Sequence, residues 1–173
     1  MVKAIMHGCN GHMGQVISQL AREDEEIEIV AGIDLVDCRD NGYPVYTDIW
    51  ACQDAADVII DFASAQATDE LLKYGVSRGI PMVLCTTGLS EEQLAAVEAA
   101  STKVAVLKSA NMSVGINLLL KVMQEVSRTL ADAGFDIEIV EKHHNQKVDA
   151  PSGTALALAD AVNEALDKSY VYK

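Results

Sequence analysis

Short apolar runs alternate with longer amphipathic segments along residues 2–110 of the chain. The apolar runs are predicted strands: Val2–Met6, Ile27–Ile33, Val58–Phe62, Met82–Cys85 and Val104–Leu107. The segments between them include predicted helices that begin at Met13 and span Gln66–Arg78 and Ser90–Ala100. Strands that alternate with helices pair in parallel through right-handed crossovers. The pattern therefore predicts an α/β fold with a doubly wound parallel sheet.

The remainder of the chain, residues 111–173, does not continue this alternation. It carries a long apolar helix over Val114–Leu130, a predicted strand over Ile137–Glu141, a polar stretch, and a helix over Thr154–Leu166. One strand and two helices cannot close a sheet-based domain. Either the chain is a fragment or the missing layer comes from elsewhere. We therefore expect two domains, residues 1–110 and an incomplete α+β domain over residues 111–173.

Charge and hydropathy exclude several kinds of partner. The formal net charge is −13 at pH 7, and a field of that sign repels nucleic acid and anionic membranes. No apolar run approaches the roughly 20 residues that a membrane span needs, and no signal-peptide pattern precedes the first strand. These two observations predict a cytoplasmic protein. The four cysteines lack a C-x-x-C spacing, which predicts reduced thiols.

A glycine-rich turn, Gly8-Cys9-Asn10-Gly11-His12-Met13-Gly14, joins the first predicted strand to the first helix. Glycines in this place permit a tight turn, and the amides at the helix N-terminus can bind a pyrophosphate. Asn10 stands where the commonest fingerprint has its second glycine. The turn predicts a Rossmann-type dinucleotide-binding domain, in which the following residues contact the cofactor: Gly8, Cys9, Asn10, Gly11, His12 and Met13.

Asp34 follows the second predicted strand, twenty residues beyond Gly14. A carboxylate there accepts hydrogen bonds from the adenosine ribose hydroxyls and repels a 2′-phosphate. The position favours NADH over NADPH, although Arg39 could still reach a 2′-phosphate. A solvated loop carboxylate is the alternative interpretation.

Two further turns follow strands at the same predicted sheet edge, where ligands bind in open parallel sheets. Cys85–Gly88 follows one strand and Ser109–Met112 the next. Ordinary turn chemistry explains either one taken alone. Together with the glycine turn they predict a site for the nicotinamide ribose and carboxamide, formed by Thr86, Thr87, Ser109, Ala110, Asn111 and Met112.

The polar stretch from Glu141 to Thr154 contains two adjacent histidines and a lysine, and then begins a helix with small residues. Amides at such a helix start can bind an anion. Zinc is disfavoured because a tetrahedral catalytic site takes three protein ligands, and no third ligand recurs here, so we expect no metal. Histidines that merely face solvent remain an alternative.

Four blocks resemble the dihydrodipicolinate reductase family in the same order. They are the G-x-x-G-x-M-G turn, the T-T-G turn, the A-N-x-S-V-G-x-N segment over Ala110–Asn117, and the E-x-H-H-x-x-K-x-D-A-P-S-G-T run over Glu141–Thr154. The resemblance extends from Val2 to about Leu166. Family members continue beyond the end of this chain, so we expect a C-terminally truncated form. The resemblance implies that residues 111–173 are part of a domain for substrate binding and oligomerisation, and that the full-length protein is a homotetramer.

The resemblance implies an NAD(P)H-dependent oxidoreductase of lysine (diaminopimelate) biosynthesis. It would reduce 4-hydroxy-tetrahydrodipicolinate, or dihydrodipicolinate, to tetrahydrodipicolinate. By resemblance His143 is the catalytic histidine and Lys147 the proton donor. The residues expected to bind the dicarboxylate substrate are His144, Lys147, Ser152, Gly153 and Thr154.

Two alternatives remain open at this point. A non-catalytic NAD(H)-binding regulator would keep the cofactor domain without turnover. Another small-molecule dehydrogenase, such as one acting on an amino acid, would share the architecture but have little use for the paired histidines. Fold alone cannot separate them.

Overall fold

The structure is a computed structural model that describes residues 1–143, 145, 150–168 and 170–172. It divides into two compact units, Met1–Ser109 and Ala110–Lys173. Each unit is described by itself.

The first unit is built on a parallel sheet of six strands in the order β3-β2-β1-β4-β5-β6. The strands are β1 Val2–His7, β2 Ile27–Ile33, β3 Val45–Tyr46, β4 Val58–Asp61, β5 Met82–Leu84 and β6 Val106–Lys108. The strand order reverses between β1 and β4, the topological switch point at which ligands bind in such sheets. The predicted doubly wound parallel sheet is confirmed.

Three helices of this unit connect the strands: α1 His12–Arg22, α2 Thr68–Arg78 and α3 Glu91–Ser101. Helix α3 begins with a capping box, in which Ser90 and Gln93 each accept a hydrogen bond from the backbone N–H of the other. Such a box satisfies two amides that the helix leaves unpaired. Helix α2 ends at Gly79, whose φ of +66° suits glycine.

The core lies between the sheet and helices α2 and α3. Ile59, Met82 and Leu84 from the strands are almost completely buried, as is Leu71 from α2, and Val97 from α3 joins the same cluster. Full burial of one such side chain stabilises the fold by about 1.5–3 kcal/mol. This cluster holds the carboxyl ends of β1, β4 and β5 in fixed register.

Tyr74 supplies a testable contribution to this core. It is 1% exposed, its hydroxyl donates to the carbonyl oxygen of Cys52 at 2.8 Å, and burial raises its pKa to about 12. We expect Tyr74→Phe to lower the free energy of unfolding by about 1 kcal/mol because one buried hydrogen bond is lost. Urea unfolding measures the change, with Tyr170→Phe on an exposed tyrosine as the control. Equal unfolding midpoints for both variants would contradict this assignment.

Residues 36–47, where the sequence predicted no strand, contain the short edge strand β3. Gly32 and Ile33 of β2 pair in parallel with Val45 and Tyr46. Two residues are too few to show a strand periodicity in the sequence. The edge strand exists because β2 offers unpaired backbone groups beside it.

The second unit contains helices α4, Val114–Asp132, and α5, Gly153–Ala165, which pack against each other. The strand predicted over Ile137–Glu141 is wrong: these residues adopt no regular structure, and Val140 is 90% exposed. A strand needs a neighbour for its hydrogen bonds, and the described residues of this unit offer none. Within the described ranges, no helix is long and apolar enough to span a membrane.

Candidate active site

The glycine turn between β1 and α1 adopts a conformation that two of its glycines require. Gly8 has φ +81°, and a Cβ added there would lie 2.8 Å from the carbonyl carbon of Phe62 in the segment after β4. A Cβ at Gly14 would collide with the carbonyl oxygen of Gly8 and lie 2.8 Å from the backbone of Cys9. The turn therefore packs tightly against both α1 and the end of β4.

Helix α1 begins directly after this turn, with Gly11 as its N-cap and no side-chain cap. The amides of the first turn of a helix have no partner within the helix. In the described part of the chain, no acceptor is recorded for the amides of His12, Met13 and Gly14. These amides can bind an anion, with the helix dipole favouring negative charge.

Asp34 stands just beyond the end of β2, beside the glycine turn. One carboxylate oxygen accepts a hydrogen bond from the amide of Asn10 at 2.7 Å, and the other accepts from the amide of Leu35 at 2.8 Å. Each oxygen retains capacity for a further donor. The side chain is thus oriented by the backbone and still able to accept from a diol.

The Asn10 side chain connects the glycine turn to the segment after β2. Its amide group donates to the carbonyl oxygen of Val36 at 2.6 Å, and its oxygen accepts from Asn41 at 3.0 Å. Asn41 is 2% exposed and also accepts from Gln15 at 2.7 Å. Asparagine in place of the common second glycine therefore fixes the segment that flanks Asp34. Arg39 lies in that segment and is exposed.

A cleft of about 530 Å³ opens at the carboxyl ends of β1, β2 and β4. Its lining includes three acidic residues, Asp34, Asp48 and Glu70, and one histidine, His7. No lysine or arginine lines it among the described residues. An anionic ligand in this cleft would depend on backbone amides for its phosphate groups.

Three buried polar side chains at the end of β1, β4 and β5 form a network that sequence reasoning missed. His7 Nδ1 lies 2.6 Å from Asp61 Oδ1, and the Thr86 hydroxyl donates to Asp61 Oδ2 at 2.5 Å. The three residues are at most 6% exposed. The available signal was a polar residue closing two otherwise apolar strands. The Thr86 hydroxyl faces Asp61, whereas Thr87 is exposed.

The cysteines near this site are not reactive nucleophiles. Burial raises the pKa of Cys9 to about 11, with Asp34 adding to the effect. Burial and the nearby Asp61 raise the pKa of Cys85 to about 11. A neutral thiol is a poor nucleophile, so both cysteines serve packing. Among the described residues no group of three or more histidine, cysteine or acidic side chains could hold a metal ion.

In the second unit, the predicted substrate residues cluster at the start of α5. Ser152 caps the helix by accepting from the amide of Ala155 at 3.1 Å. The amide of Ser152 donates to Glu141 at 2.8 Å, so it is already engaged. No described group accepts from the amides of Gly153 and Thr154. These two amides are the donors that remain for an anion.

Two further contacts organise this cluster. Glu141, to which the sequence assigned no role, lies 3.3 Å from His143 Nδ1 as well as binding Ser152. Asn111 donates to the Thr154 hydroxyl at 3.1 Å, which joins a predicted cofactor residue to a predicted substrate residue. The predicted residues His144 and Lys147 lie outside the described residues. The predicted cofactor residues Ser109, Ala110 and Met112 follow β6 in the chain and precede α4.

The parallel sheet, the glycine turn and Asp34 define a class of proteins, the dinucleotide-binding oxidoreductases with a Rossmann-type sheet. Residues 2–112 match the family model described as dihydrodipicolinate reductase, N-terminus, and residues 115–171 match that described as dihydrodipicolinate reductase, C-terminus. The chain belongs to the dihydrodipicolinate reductase family. The resemblance noted in the four sequence blocks is thereby confirmed.

Individual relatives agree. The chain is 51% identical over 174 residues to the 4-hydroxy-tetrahydrodipicolinate reductase of Caldanaerobacter subterraneus subsp. tengcongensis, covering 99% of this chain and 68% of that protein. It is 46% identical over 172 residues to the enzyme of the same name from Clostridium novyi, with the same two coverages. The chain thus spans about two thirds of the length of these relatives.

A solved structure, dipicolinate-bound dihydrodipicolinate reductase from Paenisporosarcina sp. TG-14, matches with a TM-score of 0.74 at 27% identity. The match covers 100% of this chain and 69% of that one. GenD2 from gentamicin A biosynthesis in complex with NAD matches with a TM-score of 0.56 at 15% identity over 70% of this chain and 38% of that one, which concerns the fold alone. The family matches favour the reductase over both alternatives.

Proposed function

We propose that this chain reduces 4-hydroxy-tetrahydrodipicolinate to tetrahydrodipicolinate in lysine biosynthesis, with hydride from a nicotinamide dinucleotide. The observation that carries the proposal is the turn Gly8–Gly14: the described residues offer no acceptor to the helix amides that follow it, and these amides lie beside the oriented carboxylate of Asp34. The family membership and the relatives' names supply the reaction.

The cofactor half of the proposal concerns residues 1–110. The amides at the start of α1 would bind the pyrophosphate, and Asp34 would bind the adenosine ribose. The nicotinamide would supply the hydride. The turns containing Thr87 and Asn111 remain proposed contacts for its ribose and carboxamide.

The substrate half concerns residues 111–173. The Paenisporosarcina reductase is bound to dipicolinate in its solved structure, and dipicolinate is a ring with two carboxylates. The amides of Gly153 and Thr154 would bind one such carboxylate, because a helix N-terminus favours anions. Ser152 would fix the helix start rather than donate its own amide, since Glu141 already accepts from it.

The basic residues before α5 are proposed to supply the proton that the reduction requires. Hydride transfer to a conjugated imine leaves an electron-rich nitrogen–carbon system that must gain a proton. Lys147 is the proposed donor, with His143 four residues before it in the sequence and His144 as a further substrate contact. His143 is oriented by Glu141, which would hold the imidazole in one tautomer.

A coupled assay tests the proposal directly. Freshly made product of the preceding synthase is added to the chain with NADH, and the absorbance of NADH is followed. Oxidation of NADH that depends on the synthase product supports the reductase. Normal NADH binding without such oxidation would instead indicate a binding regulator, and oxidation of amino acids with NAD⁺ would indicate another dehydrogenase.

The preference for NADH over NADPH rests on Asp34. Because its carboxylate would repel a 2′-phosphate, we expect a lower Michaelis constant for NADH than for NADPH. Asp34→Ser should raise the constant for NADH about tenfold, the size of one lost charge-assisted hydrogen bond, and lower that for NADPH. Asp37→Ser, in the adjoining segment, is the control. The reverse order of constants in the unmodified chain would end the assignment.

Domain roles, assembly and location complete the proposal. Residues 1–110 are proposed as the cofactor domain and residues 111–173 as part of the substrate domain. A homotetramer is proposed for the full-length form, and the cytoplasm as its location. Size measurements on a full-length version would test the assembly.

A further inference from the structure

His7 and Asp61 are the last register pair between β1 and β4. These two strands form the topological switch point of the sheet. His7 lines the cleft, although its side chain is only 7% exposed. The pair therefore lies beneath the position where a ligand enters the sheet edge.

Three donors converge on the Asp61 carboxylate. His7 Nδ1 lies 2.6 Å from Oδ1, the amide of Ala63 donates to the same oxygen at 3.2 Å, and the Thr86 hydroxyl donates to Oδ2 at 2.5 Å. Because the carboxylate accepts from every one of these neighbours, Nδ1 of His7 carries the hydrogen. A neutral imidazole in this tautomer presents Nε2 as a hydrogen-bond acceptor.

No hydrogen-bond partner is recorded for Nε2 among the described residues. The residue is 6% exposed, and Nε2 is not one of the fully buried side-chain atoms that lack a partner among the described residues, so what remains exposed of this acceptor faces the cleft that His7 lines. An acceptor that faces the cleft and has no partner among the described residues can accept a hydrogen bond from a ligand in the cleft.

Resting on the proposed function, we infer that His7 is a cofactor-contacting residue whose Nε2 accepts a hydrogen bond from a hydroxyl of the nicotinamide-side ribose. Asp61 and Thr86 act through His7 and are positioning residues. Nε2 as a hydrogen-bond acceptor cannot bind the pyrophosphate, because the pyrophosphate oxygens also only accept hydrogen bonds. The ribose hydroxyls are donors, and they suit a lone acceptor.

The place of His7 selects this ribose over the adenosine ribose. Asp34 follows β2 and marks the adenosine side of the glycine turn. His7 and Asp61 lie on the other side, between β1 and β4. In a dinucleotide that crosses the turn, the second ribose is the group that reaches this side.

Two substitutions at His7 separate contact from structure. In His7→Asn the carboxamide nitrogen can still donate to Asp61, but nothing remains at the position of Nε2. In His7→Gln the longer side chain can place an oxygen acceptor near that position. If His7 contacts the cofactor, His7→Asn should bind NADH more weakly while its melting temperature stays unchanged. His7→Gln should recover part of the lost NADH affinity.

The probes are NADH, ADP-ribose and ADP, measured by calorimetry against the unmodified chain. We expect His7→Asn to weaken NADH and ADP-ribose by about five- to tenfold, as for one lost hydrogen bond, and to leave ADP unchanged. Equal loss for all three probes, or no loss for any, would overturn the inference. Loss for NADH alone would place the contact on the carboxamide and would overturn the ribose assignment.

Asp61→Ala tests the positioning role. We expect this variant to have a lower melting temperature. It should also bind NADH and ADP-ribose more weakly and ADP unchanged, the same pattern as His7→Asn. A merely structural Asp61 would weaken all three probes alike. If the unmodified chain binds none of the probes, the proposed function fails with the inference; if it binds them as expected but does not turn over, only the proposed reaction fails.

Discussion

Gly14→Ala is expected to weaken NADH binding at least roughly a hundredfold, since a displacement of about 1 Å in a positioning element can cost that much. A Cβ at this position would collide with the carbonyl oxygen of Gly8 and lie 2.8 Å from the Cys9 backbone. Neither neighbour is a flexible side chain. The glycine turn and α1 must therefore move apart, which displaces the amides proposed to bind the pyrophosphate.

The same substitution should destabilise the first unit. Overpacking against a rigid backbone costs about 3 kcal/mol at the upper end of the usual range. Gly115→Ala is a matched control near the start of α4, where a Cβ would meet only the Ser113 hydroxyl at 3.7 Å. Calorimetric NADH binding and the melting temperature are measured for both variants. Unchanged values for Gly14→Ala would show that the turn does not pack as described.

Lys147→Ala is expected to abolish turnover, a fall in kcat of at least about 10²-fold, the lower bound for losing a general acid. NADH affinity should remain unchanged because the proposed cofactor residues lie elsewhere in the sequence. The coupled assay measures kcat, and calorimetry measures the dissociation constant of NADH.

Lys142→Ala is the control for this experiment, since it removes the same charge from the same polar stretch. It should leave kcat within a factor of about two, as for a surface substitution of within about 0.5 kcal/mol. If Lys147→Ala lowers NADH affinity as much as turnover, the lysine has a structural role. If kcat is unaffected, the proton comes from another group, with His143 as the next candidate.

Because the chain is strongly negative, an anionic cofactor must be bound by groups in its immediate surroundings. The net charge is −13, and the described lining of the cleft carries acidic side chains and no lysine or arginine. Backbone amides at the start of α1 offset this field at short range, where a helix dipole is worth about 0.3–1 kcal/mol at exposed sites. Affinity for the dinucleotide should therefore depend on turn geometry more than on any one basic side chain.

The strands that the sequence predicted correctly are those with several buried apolar residues. Val58–Phe62 and Met82–Cys85 correspond to β4 and β5 to within one residue at their ends. The edge strand Val45–Tyr46 escaped notice because two residues carry no period. The strand over Ile137–Glu141 was predicted from local pattern and does not form, since the described residues of its unit provide no neighbouring strand.

The candidate site divides in the same way. The glycine turn and Asp34 could be found because their spacing follows one strand–helix–strand unit, and the run Glu141–Thr154 because its letters are distinctive. The role of Glu141 in holding both His143 and Ser152 was not visible in the spacing. Neither was the inward orientation of the Thr86 hydroxyl.

By itself the sequence determined the parallel sheet, the glycine turn and the family, because periodicity and short motifs act over neighbouring residues. Only the tertiary structure decided that His7, Asp61 and Thr86 form one buried network, across separations of 54 and 25 residues. Parallel pairing at the switch point brings these strand ends together. Burial then favours hydrogen bonds between their polar groups, because a buried polar group without a partner is costly. The spacing of neighbouring residues in the sequence cannot predict a contact between residues so far apart along the chain.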